Sequence, residues 1–425
     1  MRKLFFLCAL CAVSNLFAWD YEHIKIDSLY YNLNERGQVA EVAIDTEDDD
    51  NYANLGDTLV ISESVIYNEV TYTVKGVGEH AFDRCKSVKC FLLPESITYI
   101  KSCAFQDSDL DSIRFSSHLE TIGGNAFCAC TRLGSITIPG GVELIAYHAF
   151  SGCRNLREVI ISNGVQEIGA MAFGTCALES IVIPASVTEI GTQAFNECNN
   201  LSSVTFNDGL ESIGSQAFRK CNLSSVDIPA SVTSIRGDAF GQNANLTAIN
   251  VSADNTVYSS EDGIVFNKDK TVIVLYPNGK QGEYSIPSSV TSIGDHAFHD
   301  CKKLTSIVIP AGVTGIGEYA LGECDNLSSI TCKALVPPTC GFKVFDSLNK
   351  SIPLYVPAGS IADYQAADQW KDFTNIQALP TTSFGDVQSG DVQCTKVLRD
   401  GQLYLMHKGA MYNVQGVVKA NGEGK

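Results

Sequence analysis

An Ala-Phe dipeptide recurs along this chain at a nearly fixed interval. Its phenylalanines are Phe82, Phe105, Phe127, Phe150, Phe173, Phe195, Phe218, Phe240 and Phe298, and Leu321 fills the same slot one interval later. Successive marks lie 22 or 23 residues apart, except for one interval of 58 between Phe240 and Phe298. A period in this range marks a solenoid, a stack in which each coil buries its apolar face only against its neighbours. Such a stack grows by adding coils, so a length of 425 residues does not imply several globular domains. It also offers a long, shallow surface in place of a catalytic pocket.

The coil from Cys301 to Leu321 shows the grammar. Leu304, Ile307 and Ile309 follow L-x-x-L-x-L spacing, which points three side chains inward from an extended segment. Pro310 ends that strand because it has no amide hydrogen for a ladder. Val313 and Ile316 form a second inward pair, Gly317 permits a turn, and Ala320 and Leu321 close the coil. The same order recurs in Ile136, Ile138, Pro139, Val142 and Ile145, and in Ile181, Ile183, Pro184, Val187 and Ile190. Three coils are one residue short, all at one place: after Ser108, Cys176 and Cys221 the next inward leucine comes two residues on instead of three. Surface turns tolerate such deletions while the strands keep phase. Within the long interval, Ile264 to Phe266 and Val272 to Leu275 are β-prone runs joined by the polar turn Asn267 to Lys270. That pattern predicts a hairpin bulging from one coil of a continuing array.

The unit L-x-x-I-x-I-P-x-x-V-x-x-I-G-x-x-A-F-x-x-C resembles the BspA-like class of leucine-rich repeats, found chiefly in surface proteins of bacteria and some protozoa. Ten coils carry it, over residues 77 to 333. Residues 252 to 283 resemble the hairpin insertion seen within such arrays, and 350 to 376, with L-Y-V-P-A-G-S and W-K-D-F, resemble their C-terminal capping unit. The resemblance implies a surface protein that adheres to host proteins or to other cells.

The first residues read as a secretory signal: Arg2 and Lys3, an apolar stretch from Leu4 to Val13, and Ala18 as a cleavage point before Trp19. No later stretch reaches about 18 uninterrupted apolar residues, so no transmembrane helix is expected in the mature chain. Cleavage would remove two positive charges and no carboxylate, taking the formal net charge from −18 to −20. Such a surface repels phosphate backbones, which excludes nucleic acid as a partner and serves solubility.

Sixteen cysteines are the most conspicuous chemistry. Eight fall three residues after the Phe slot: Cys85, Cys130, Cys153, Cys176, Cys198, Cys221, Cys301 and Cys324, with Ser108 and Asn243 in the other two coils. A secreted chain invites a disulfide reading. Stacking, however, places each thiol between two equivalents about 5 Å away, and a continuous row has no unique pairing. Ser and Asn as substitutes suggest a small side chain bonding a local backbone group, so buried, reduced structural thiols are expected. No His or carboxylate shares the slot, so no metal and no cofactor is expected. Cys332 and Cys340 flank the end of the array, and the sequence leaves open whether they bridge. His80, His148 and His296 share the position two before the Phe slot with Cys, Asn, Met, Gln, Asp and Tyr, which fits a partly exposed turn. The acidic run from Asp45 to Asp50 lacks a closing Glu at calcium-loop spacing. No G-x-S-x-G, H-E-x-x-H or P-loop occurs, and the G-x-G-x-x-A strings at Gly76 and Gly315 lie in the repeat frame. No enzyme is expected, and no catalytic residue is named.

The candidate binding face is the outward side of each coil's first strand, with Arg114, Thr137, Arg157, Glu158, Glu179, Ser203, Thr205, Asp227 and Ser306. The structural core comprises the phenylalanine slot with Cys130, Cys153, Cys176, Cys198, Cys221 and Cys301. The expected organisation is a signal peptide (1–18), an N-terminal β cap (19–76), the repeat array (77–333, hairpin insertion 252–283) and a C-terminal cap (334–378). A linker (379–395) and a short β tail (396–425) follow, the tail turning at Lys408-Gly409 and resembling export or anchoring segments of Bacteroidetes-type secreted proteins. The fold class is a β-rich, right-handed parallel solenoid. Expected partners are extracellular or cell-surface proteins, with glycans as the alternative.

Overall fold

The computed structural model describes residues 18–46, 52–53 and 55–380, together with the backbone of short strands between 395 and 419. The signal segment and most of the acidic run lie outside the described residues. Residues up to Leu379 form one compact unit and those from Pro380 another.

Each coil of the first unit contributes three segments that stack on their equivalents. A long row of parallel strands includes Cys90–Leu92, Ser112–Arg114, Ser135–Ile138, Glu158–Ile161, Ser180–Ile183, Ser203–Phe206, Ser225–Ile228 and Ala248–Val251. A short row of two-residue strands runs in register from Tyr99–Ile100 to Ser234–Ile235. The third row is built from turns: the Phe82 amide donates to the Ala104 carbonyl, Phe105 to Ala126 (2.7 Å) and Phe127 to Ala149 (2.8 Å), and so on up the stack. This third ladder needs backbone bends that only left-handed residues supply. The position two before the phenylalanine is left-handed in nearly every coil, with φ of 56° at His80, 54° at His148, 52° at Met171 and 56° at His296. Side chains at positive φ are strained by about 1–2 kcal/mol each, and the inter-coil hydrogen bonds offset that. The varied residues in this slot are all half-buried.

The phenylalanine slot forms a continuous column. Phe105, Phe127, Phe150, Phe173, Phe195, Phe218 and Phe240 stack with ring centroids 5.0–5.5 Å apart and planes within 10°. Phe82 extends the column downward to Tyr52 of the N-terminal cap. All are 0–3% exposed. Burying each ring contributes about 2–3 kcal/mol, and the stacking adds about 1 kcal/mol. Beside this column the thiols of Cys130, Cys153, Cys176, Cys198 and Cys221 donate to the carbonyls of Phe105, Phe127, Phe150, Phe173 and Phe195 at 3.0–3.3 Å. The acceptor is therefore in the preceding coil rather than local, as the sequence suggested. Every described cysteine, Cys332 and Cys340 included, is a free thiol. Burial pushes the thiols of Cys130 and Cys153 well up and that of Cys221 to about 12.

The N-terminal cap feeds both strand rows. Tyr21–Ile26, Leu29–Asn34 and Val39–Ala43 form an antiparallel sheet that passes through Val70–Val77 into the short row, while Thr58–Val60 begins the long row. At the other end the stack runs one coil past the repeat motif. Leu321 donates to the Val344 carbonyl, Val344-Phe345 fills the Ala-Phe slot, and Thr339–Cys340 extends the short row. Buried Tyr364, Trp370 and Phe373 close the core.

The interval of 58 residues differs from the expected bulge in two respects. Tyr258–Glu261, Ile264–Asn267 and Val272–Leu275 form three antiparallel strands rather than two. The last of these is already a short-row strand pairing with Ser292–Ile293, and Tyr276 fills the next phenylalanine slot, 4.9 Å from Phe298. Leu-Tyr in place of Ala-Phe hid that coil, and Gly282–Ser285 belongs to the long row that follows.

In the second unit, Thr395–Arg399, Gln402–His407, Ala410–Tyr412 and Val418–Lys419 pair in order as an antiparallel meander. The sequence suggested a single hairpin at Lys408-Gly409, which lies outside the described residues, and the backbone shows four paired strands in place of two.

Candidate binding face

Period-two alternation on the long row sends Ile136 and Ile138, or Ile181 and Ile183, into the core and leaves their neighbours outside. Register then sorts the outward residues into columns. Leu92 pairs with Arg114, Thr137 with Ile160, Val182 with Thr205 and Asp227 with Asn250, and these four pairs occupy the same repeat position of successive coils, a column on the outward side. A second column holds Cys90 with Ser112, Ser135 with Glu158, Ser180 with Ser203 and Ser225 with Ala248. Arg114, Thr137, Thr205 and Asp227 thus share the first column, and Glu158 and Ser203 the second. Arg157 and Glu179 sit just before the strands. Ser306 stands apart: it is half-buried and lies beyond the insertion, beside Glu283 and Ser329.

The centre of the first column is apolar. Ile160 is 51% exposed and Val182 56% exposed, in adjacent coils, with a threonine on either side. Their outward placement follows from the strand alternation, but in the sequence they are two β-branched residues among many along rows dominated by Ser and Thr. Around them the charges are largely internally paired. Arg157 reaches Glu179 at 3.4 Å, both well exposed. Arg132 makes a two-pronged bond to Asp111 at 2.6 and 3.0 Å, which holds that carboxyl below its usual range. Asn250 donates to Asp227 at 2.8 Å.

A different surface, on the turn row of the last coils, carries stacked rings. His296 lies flat against Tyr319 (5.3 Å, 14°), Phe342 meets Tyr319 edge-on at 5.5 Å, and the Lys343 ammonium lies over both. Phe342 is 60% exposed, and Glu318 stands 3.8 Å from His296. The shared histidine position was the sequence signal for this row, but its ring partners Tyr319 and Phe342 break the histidine pattern. Among the described residues no group of three or more His, Cys, Asp or Glu is placed to hold a metal ion, and no helix is long and apolar enough to cross a membrane.

No curated protein matches the chain. Among solved structures it is similar to a leucine rich cell surface protein from Faecalibacterium prausnitzii, with 24% identity, 85% of this chain and 95% of that one covered, and a TM-score of 0.58. It is also similar to a leucine-rich repeat protein from Bacteroides ovatus, with 21% identity, 83% and 88% covered, and a TM-score of 0.51. These likenesses bear on the fold. The BspA type leucine rich repeat region matches residues 61–178, 166–268 and 274–358, well over half of the sequence. With the ladders of buried phenylalanine and cysteine beneath that match, the chain belongs to the BspA type leucine-rich repeat family.

Proposed function

We propose that this protein is a non-enzymatic binding protein, secreted or displayed at the cell surface, that adheres to host or other cell-surface proteins through the long-row face of its first coils. The observation that carries the reading is the exposed pair Ile160 and Val182, each beside a threonine in strand register on the outward side of the long row. Apolar side chains ringed by groups that exclude water are the usual anchors of protein contacts. Pairing of Arg157 with Glu179 leaves the rim nearly neutral, so the anchor rather than the rim carries affinity. The experiment is saturable binding of the purified chain to intact cells and to immobilised matrix proteins, with Ile160→Asp and Val182→Asp as variants. Both positions face solvent, so the fold should be unaffected while binding falls at least tenfold. Unchanged binding by both variants would remove this face from consideration.

Glycan capture is a second reading, favoured by the ring row of His296, Tyr319 and Phe342. Aromatic faces beside carboxylates suit the apolar faces and hydroxyls of sugars. Binding on a carbohydrate array that is lost in Phe342→Ala, yet indifferent to Ile160→Asp, would favour it.

A further inference from the structure

The two inter-coil ladders that run unbroken through the lower coils, the short row and the turn row, stop at the same place, and the long row, paired there only two coils at a time, has its last pair at the same level. The short row ends at Ser234–Ile235, and a new sheet begins with the insertion. The long row ends at Ala248–Val251 and restarts at Gly282–Ser285. In the turn row, Phe218 donates to Ala239 and Tyr276 to Ala297, but no backbone bond leads from Phe240 to the coil of Tyr276. The ring column likewise halts at Phe240.

Side chains of the insertion seal the exposed end instead. The Tyr258 hydroxyl accepts from the Ile235 amide at 3.1 Å, the Ser260 hydroxyl accepts from Val251 at 2.9 Å, and fully buried Asn255 donates to the carbonyls of Pro229 and Val232. Those are the groups a terminal cap must satisfy. The strand Ile264–Asn267 then divides its faces: Val265 belongs to the lower apolar core, while Ile264 and Phe266 belong to the upper. Leu275 and Ile273 divide the same way. The hairpin is a wall with a separate core on each side.

On the turn side the wall is missing. Phe240, Gly241, Tyr276, Pro277, His296 and His299 line a shallow crevice of only about 10 Å³. Besides the Tyr258 and Ser260 seals and the packing of Val265 and Leu275 on the lower core, the seam is crossed by Gly279 to the Leu246 carbonyl (2.7 Å), Ile249 to the Gly263 carbonyl (2.8 Å), the Lys303 ammonium to the Ala244 carbonyl, and a close approach of Gly237 to Asp295.

We propose that the insertion divides the array into two separately cooperative blocks, residues 18–251 and 258–379, hinged at this seam with the crevice as the opening side. Stability in a repeat stack is a sum of coil and nearest-neighbour terms, and a single weak interface uncouples what lies on either side. The binding column of the lower block therefore moves independently of Ser306 and the ring row.

The test is segment-resolved hydrogen exchange on the full chain, with the mild core changes Ile145→Val below the seam and Ile307→Val above it. Each should accelerate exchange roughly three- to tenfold in its own block and leave the other unchanged. A seam-specific variant, Gly237→Ala, would place a Cβ 2.1 Å from the Asp295 carbonyl oxygen. It should raise exchange at the Ile249 and Gly279 amides without touching either core. The two tryptophans, Trp19 and Trp370, lie in different blocks. In Trp19→Phe, unfolding followed by Trp370 fluorescence should not coincide with that followed by far-ultraviolet circular dichroism. A substitution effect that crosses the seam undiminished overturns the proposal, whatever the two transitions do.

Discussion

The slot three residues after the phenylalanine is filled by a thiol, a hydroxyl or an amide; Ser108 turns its hydroxyl to the Cys130 sulfur at 3.4 Å, while the thiols and the amide meet one demand. A carbonyl of the coil below points into the core and must be bonded where no water reaches. Cysteine does so with a single weak donor. Asn243, fully buried, does more: its amide donates to Phe218 and Phe240 at 2.7 and 2.8 Å, and its oxygen accepts from the Leu223 amide at 3.2 Å. It stands in the last coil before the seam, and the thiols resume above it with Cys301 and Cys324. Asn243→Ala should cost about 2–3 kcal/mol by orphaning those backbone groups. Asn243→Cys, which restores one bond, should cost about 1 kcal/mol less, as read from urea midpoints. A larger loss for Cys than for Ala would mean that the slot is governed by volume rather than by bonding. The residue types at this slot were readable from spacing. The acceptor was not, because it lies 25 or 26 residues away on another coil and the period alone does not say which carbonyl faces which side chain.

Strand register has consequences that the linear sequence conceals. Glu167 and Glu189 are 22 residues apart and directly opposite on neighbouring short-row strands. Burial, and then the facing Glu189, push the Glu167 carboxyl above its usual range. A raised carboxyl means that the folded chain binds the proton more tightly than the unfolded one, so the pair destabilises at neutral pH and is relieved as pH falls through the folded value. Glu189→Lys should therefore stabilise by about 0.2–1 kcal/mol at pH 7, with the advantage over the native chain shrinking on acidification toward pH 4. An advantage that grows on acidification would show that the two side chains do not face each other. The coil grammar, the caps and the alternation were legible because apolar spacing fixes them. The seam was not: Tyr276 keeps the volume of the slot while abandoning its Ala-Phe spelling, and the division of Ile264, Val265 and Phe266 between two cores looks in sequence like one ordinary apolar run.

For the whole molecule, a stack held by nearest-neighbour ladders should tolerate loss of an entire coil but not of half of one. Removing Gly174–Phe195 joins Phe173 to Asn196 in phase. Phe173 then stacks on Phe218, and Cys198 inherits the Phe150 carbonyl now bonded by Cys176. The chain should fold, keep its far-ultraviolet spectrum and unfold with a slightly smaller urea slope, because less surface is exposed. Removing only Gly174–Pro184 puts the inward and outward positions of the next coil out of phase and should abolish folding of the lower block. The in-phase deletion also removes Val182 and Glu179, which makes it a test of where affinity resides. A second in-phase deletion, Gln106–Phe127, shortens the same block by one coil but spares both Ile160 and Val182. If affinity is concentrated at the apolar centre of the column, the first deletion should weaken cell binding at least tenfold and the second much less. Equal losses would mean that contact is spread along the array, and the protein would then bind by avidity over its length rather than through an anchor.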